Sequence, residues 1–192
     1  MSKTNSNKKL SLSAEVFEWL EMIILSACIV LLVFTFVVRP ANVDGQSMED
    51  TLHHREMLLI SDLFYEPERG DIVVFQKINS THPEPIVKRV IATEGETVDI
   101  DFDTWTVTVT DASGNKRILD ESAYRKLTTD QRVLSDHTYP LTVEKGKLFV
   151  MGDNRNHSLD SRSSDIGQVD ENEIIGKVIL RAFPLNKFGT VK

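Results

Sequence analysis

The sequence predicts a mostly β domain carried behind one N-terminal transmembrane helix. Three observations lead there. A run of 17 residues without charge, Met22 to Val38 (MIILSACIVLLVFTFVV), stands near the N-terminus. Beyond Pro40 the chain breaks into short runs rich in β-branched residues, punctuated by Gly, Pro and Asp, as antiparallel sheets require. Only Glu121 to Val133 (ESAYRKLTTDQRV) reads as a helix in that region.

The apolar run, extended by Trp19 and Leu20, is about long enough to span a bilayer core at ~1.5 Å per residue. Trp19 suits the membrane interface. A buried core helix would carry a polar stripe, whereas this run offers only Ser26 and Thr35. A cleaved leader would end in a small-x-small site, whereas bulky valines precede Arg39-Pro40 here. Lys3, Lys8 and Lys9 precede the run and Arg39 alone follows it closely. By the positive-inside rule the N-terminus is expected in the cytoplasm and the bulk of the chain outside. The expected division is a cytoplasmic segment 1–18, an anchor 19–39 and an extracytoplasmic β domain 40–192, with a hairpin and cap-like insertion at about 101–145.

Strands follow in order. EMLLISDLF (Glu56 to Phe64) is an apolar run, and EPERGD (Glu66 to Asp71) is turn chemistry. DIVVFQK (Asp71 to Lys77), the stretch Pro85 to Ala92 and ETVDI near Thr97 continue the pattern. TWTVTVT (Thr104 to Thr110) alternates cleanly, DASGN (Asp111 to Asn115) turns, and KRIL (Lys116 to Leu119) returns as a hairpin. KLFVMGD (Lys147 to Asp153) and EIIGKVILRAF (Glu173 to Phe183) complete the set.

Composition narrows the function. The net charge of −7 argues against a nucleic-acid partner. Cys28 is the one cysteine, so no intramolecular disulfide can form. No zinc-type Cys/His spacing is present, and no metal or cofactor is expected. Asp99, Asp101 and Asp103 alternate on one strand face, where an exposed acidic edge is the plainer reading than a metal site.

The stretch PIVKRVI (Pro85 to Ile91) raises a chemical question. Strand alternation puts Ile86, Lys88 and Val90 on one face. A lysine among apolar groups either snorkels to water or loses its charge and becomes a base. A base needs a nucleophile, and NVDGQSMEDTL (Asn42 to Leu52) presents Ser47 in a loop with Gly45. MGDNRNHSLDSR (Met151 to Arg162) is a dense polar stretch after a strand. It suits either a solvated loop or a buried polar scaffold behind an active site. His53 and His54 follow Ser47 closely, but paired histidines in a polar turn are ordinarily solvent-exposed.

Taken together, these stretches resemble the membrane-bound type I signal peptidases, serine proteases with a Ser/Lys dyad. The likeness runs from the anchor through GQSMEDTL, RGDIVVF, VKRVIATEGETV and MGDNRNHSLDSR to GKVILRAFP. The single span and short middle region are similar to the small form of Gram-positive bacteria. The resemblance implies the β fold shared with self-cleaving repressors. It further implies Ser47 as nucleophile, Lys88 as general base and the Ser47 N–H as oxyanion donor. Gly45 stands where some members carry an oxyanion serine, and Met48 would line the site. Ser158 matches the serine that hydrogen-bonds the lysine, Asp160 and Arg162 match a structural ion pair, and Asp153 and Arg155 match scaffold. Implied partners are preproteins with small residues at −1 and −3 of a signal peptide, the lipid bilayer and the secretion translocon.

Two departures stand out. Asp50 replaces the proline of the usual Ser-Met-x-Pro-Thr-Leu, and Glu94 replaces a proline before Gly95. Both hint at a paralogue with its own substrate range. A membrane-tethered non-catalytic relative would be expected to lack Ser47 or Lys88, and both are present. A self-cleaving repressor would need a DNA-binding domain in place of the anchor.

Overall fold

The computed structural model describes residues 12–77, 84–127 and 135–191. The chain divides into two compact units, Met1–Val38 and Arg39–Lys192. The first is α1, Leu12–Phe36. Its segment Ala14–Phe36 is long and apolar enough to cross a membrane, with a mean hydropathy of 2.4. The two hydroxyls inside it, Ser26 and Thr35, donate to the carbonyls of Ile23 and Leu31. They therefore need no partner outside the helix.

The second unit is mostly β. Strands β1 (Arg39–Asn42), β2 (Met57–Ser61), β3 (Ile72–Phe75) and β4 (Ile86–Ala92) come first. Then follow β5 (Thr97–Asp101), β6 (Thr106–Thr110), β7 (Lys116–Ile118) and β8 (Leu141–Thr142). The last are β9 (Lys147–Met151), β10 (Val169–Asp170) and β11 (Ile174–Phe183). They form a seven-stranded sheet in the order β1-β2-β11-β3-β4-β9-β10 and a four-stranded sheet in the order β7-β6-β5-β8. Every named pairing is antiparallel. Pro40 sits on the edge strand β1, where its missing N–H costs no ladder bond.

The large sheet is covered on both faces, and β3 shows why its sequence does not alternate. Ile72 and Val74 pack with Met48, Leu52 and Leu58, while Val73 and Phe75 pack with Val90, Leu148 and Val150. A strand buried on both faces reads as a continuous apolar run. The smaller sheet has its own core, in which Val98, Ile100, Val107 and Val109 meet Phe149 and Met151.

Three strands pass unnoticed in the sequence, β1, β8 and β10. β1 begins at Arg39, inside the expected anchor, and β8 and β10 are two residues long and pair with longer neighbours. The helix expected over Glu121 to Val133 does not form in its described part. Residues 122–124 make a turn, with Tyr124 and Arg125 N–H donating to Glu121 O, and Lys126 then bridges to Asn154. Residues 128–133 lie outside the described set. Tertiary pairing overrides helix propensity here. Likewise Trp105 has φ +55° and belongs to the turn before β6, so that strand starts two residues later than the alternation suggests.

Candidate active site

β4 places the lysine. Its pairing with β3 sets Lys88 opposite Val73 and Ile86 opposite Phe75, so Lys88 lies on the face where Ile86 and Val90 join the core. The side chain does not snorkel: Lys88 is only 3% exposed. Its amine donates to Ser47 Oγ at 2.8 Å and to Val87 O at 2.9 Å. Burial pulls its pKa down to about 8, with the Arg162 charge adding to the fall and the Asp160 and Asp153 carboxylates opposing it. Near physiological pH such a group is neutral in a sizeable minority of molecules, and that form can take a proton.

Ser47 arrives on the loop after β1. Gly45, at φ +91°, lets the chain turn there in a left-handed conformation. Beyond Ser47, Glu49 N–H donates to Gln46 O and Leu52 N–H to Met48 O, closing a tight turn. Met48 is buried in the core beneath it. The Ser47 N–H makes no hydrogen bond among the described residues. The Gly45 N–H is turned instead toward His54 Nδ1 at 3.4 Å. Both histidines lie apart from the Ser47–Lys88 pair. His54 Nδ1 is 3.1 Å from Asp44, His53 Nδ1 is 3.6 Å from Glu56, and both side chains are about half exposed.

The stretch Met151 to Arg162 is the buried scaffold rather than the solvated loop. Asp153, Asn154, Arg155, Asn156, Ser158, Asp160, Ser161 and Arg162 are all 2% exposed or less. Every buried charge among them has a partner, as the low dielectric demands. Arg162 grips both oxygens of Asp160 at 2.8 Å. Arg155 grips Glu121 at 2.7 and 2.5 Å. Asp153 receives Arg89 at 2.8 and 2.7 Å and also the Thr51 hydroxyl at 2.5 Å. Burial would raise the Asp160 carboxyl, but the Arg162 charge and donors from Arg162, Gly152 and Ser158 hold it below its ordinary value.

One expected contact is different. The Ser158 hydroxyl donates to Asp160 Oδ2 at 2.6 Å, and the hydrogen bonds of Lys88 go to Ser47 and Val87. Asp160 is an ionised acceptor in full reach and accepts the single hydrogen bond that the hydroxyl can donate. Ser158 and Lys88 therefore make no direct hydrogen bond to each other.

The structure also brings in residues that sequence reasoning passed over. Asn154 holds the Ser47 loop twice, by its N–H to Ser47 O and by its side-chain amide to Gln46 O, each at 3.0 Å. Gly152, Thr51, Arg89 and Glu121 complete the frame. Arg89 carried a signal, an arginine inside a buried strand beside the lysine. Glu121 carried none, because its partner lies 34 residues away. A cavity of about 600 Å³ opens beside the pair, with Met48, Ile86, Val87 and Leu159 among its walls.

Known proteins are similar to this chain over most of its length. The chain belongs to the family described as signal peptidase, peptidase S26, which it matches over residues 16–183. It is 34% identical to a signal peptidase I of Bacillus amyloliquefaciens, over 99% of this chain and 97% of that one. It is 31% identical to signal peptidase IB of Staphylococcus aureus (strain COL), over 91% of this chain and 93% of that one. A crystal structure of a signal peptidase I from Enterococcus faecalis V583 is 30% identical, with a TM-score of 0.44 over 59% of this chain and 97% of that one.

Proposed function

We propose that this chain is a membrane-bound serine endopeptidase that removes signal peptides from exported preproteins after small-x-small sites. Ser47 is the nucleophile and Lys88 the general base. The observation that carries this reading is the 2.8 Å contact between Lys88 Nζ and Ser47 Oγ at the wall of an open cavity.

Neutral Lys88 takes the Ser47 proton as Oγ bonds to the scissile carbonyl carbon, and the carbonyl electron pair moves onto oxygen. The Ser47 N–H, which makes no hydrogen bond among the described residues, donates to that oxyanion. On collapse the C–N bond breaks, and Lys88 returns its proton to the departing amine of the mature protein. Water, deprotonated by Lys88, then cleaves the ester, releases the signal peptide and restores the serine hydroxyl. The α1 anchor holds enzyme and substrate at one bilayer, with the N-terminus cytoplasmic and the β domain outside, next to the translocon; confinement raises their encounter frequency.

The test is cleavage of a preprotein bearing an Ala-x-Ala site by the detergent-solubilised protein, beside Ser47→Ala and Lys88→Ala. The wild type is expected to cut there, and each folded variant to lose about 10³-fold or more. A folded wild type inert on several such preproteins would overturn the reading.

A further inference from the structure

Lys126 touches both loops that build the site. Its main chain lies on one of them: Lys126 N–H donates to Asp153 O at 2.8 Å, and Arg155 N–H donates to Lys126 O at 3.1 Å. That loop in turn holds the Ser47 and Gln46 carbonyls through Asn154. The Lys126 ammonium reaches the other loop, just past the nucleophile, at 2.7 Å from Asp50 and 3.5 Å from Glu49. The Asp50 carboxyl is held below its ordinary value by the hydrogen bond from Lys126, and the Lys126 ammonium above its own by the same bond. Asp50 N–H makes no hydrogen bond among the described residues, while Thr51 beside it is held by Asp153 and Arg181.

We propose that Lys126 is a positioning residue of the peptidase site. Anchored by its main chain to the 153–155 loop, it clamps Glu49 and Asp50 electrostatically and so keeps the Ser47 hydroxyl against Lys88. This rests on the reaction proposed above. The clamp is partly open to water, with the Lys126 side chain 32% and the Asp50 side chain 73% exposed, so salt screens it. Proline, usual at position 50 in the family, would restrict the same segment through its ring and without charge.

The experiment compares wild type, Lys126→Met, Lys126→Arg and the double variant Asp50→Pro/Lys126→Met on an Ala-x-Ala preprotein. Salt runs from about 20 mM to about 500 mM NaCl, over which the screening length falls from roughly 20 Å to roughly 4 Å. Lys126→Met is expected to lower kcat about three- to tenfold at low salt with KM unchanged. The wild-type rate is expected to fall toward that of the variant as salt rises. Lys126→Arg keeps the wild-type profile, and the double variant regains kcat and ignores salt. Hydrogen exchange at the Leu52 amide, bonded to Met48 O at 2.8 Å, reads the loop without any substrate and is expected to speed up in Lys126→Met. Equal rates, salt profiles and exchange in Lys126→Met and wild type overturn the clamp. A loss that neither salt nor Asp50→Pro alters overturns it too, and makes Lys126 a fold residue only. A wild type that cuts no preprotein overturns the reaction instead, and the Leu52 exchange then decides the clamp alone.

Discussion

The backbone of Gly152 packs directly against the carbonyl of Ser47. A Cβ at residue 152 would lie 2.5 Å from Ser47 O and closer still to the Ser158 hydroxyl. The end of β9 thus touches the nucleophile loop with nothing between them. Neither neighbour can retreat, since Ser158 is buried and bonded to Asp160 and Ser47 O is held by Asn154. Gly152→Ala is therefore expected to push the serine from the lysine. Cleavage should fall about 100-fold, and overpacking should cost about 1–3 kcal/mol in denaturant unfolding. A variant with wild-type cleavage would show that the loop can give way.

The pH–rate profile should report Lys88. Its pKa of about 8 means that the base is protonated, and inactive, below that pH and free above it. We expect kcat/KM to rise with pH through about 8 and then level, provided chemistry limits the rate. A flat profile from pH 6 to 10 would count against a neutral lysine as base.

The same shift links Lys88 to stability. Between about pH 8 and 10.5 the unfolded chain carries a proton on Lys88 that the folded chain has released. Stability relative to a Lys88→Met variant should therefore increase as pH rises through that window, by ~3 kcal/mol at most. Urea unfolding of both proteins at pH 7.5 and pH 10.5 measures the difference, and one that shrinks with pH contradicts the shift.

Asp160 and Ser158 should separate in the profile. The Asp160 charge raises the pKa of Lys88, so Asp160→Asn is expected to move the midpoint below about 8. Ser158→Ala removes only a hydroxyl that donates to Asp160. It should cost about 1 kcal/mol of stability and leave the midpoint nearly unmoved. A large shift in Ser158→Ala alone would mean that its hydroxyl meets the lysine directly.

Arg155 and Glu121 form an ion pair whose side chains are 0% and 1% exposed. Removing one partner leaves a buried charge without its mate. Glu121→Ala should therefore cost about 3–5 kcal/mol in denaturant unfolding, and a cost below about 1 kcal/mol would mean that water reaches Arg155.

The sequence by itself determined the apolar helix and the long strands and singled out Lys88, while the pairing of Lys88 with Ser47 came from resemblance. The reason is that these signals are local. An uncharged run of helix-spanning length, a period of two and a lysine between Ile86 and Val90 are all written within a few residues. Resemblance pointed to the stretch from Asp153 to Arg162 as scaffold, and the Asp160–Arg162 pair, two residues apart, needed little more.

Tertiary structure decided the rest, because those choices depend on partners far along the chain. β8 and β10 exist only beside β5 and β9. The segment after Glu121 has helix-forming residues, yet Glu121 binds Arg155 and Lys126 binds the 153–155 loop, so over the described residues 121–127 the helix is given up for buried ion pairing and bridging. Resemblance gave Ser158 the lysine as partner, and packing turned its hydroxyl to donate to Asp160 instead. Whether Lys88 snorkels or is buried is a question of what covers β4. The answer comes from Ser47 and a scaffold that begins more than 60 residues beyond the lysine: the cover removes water, and the loss of water lowers the pKa of the amine.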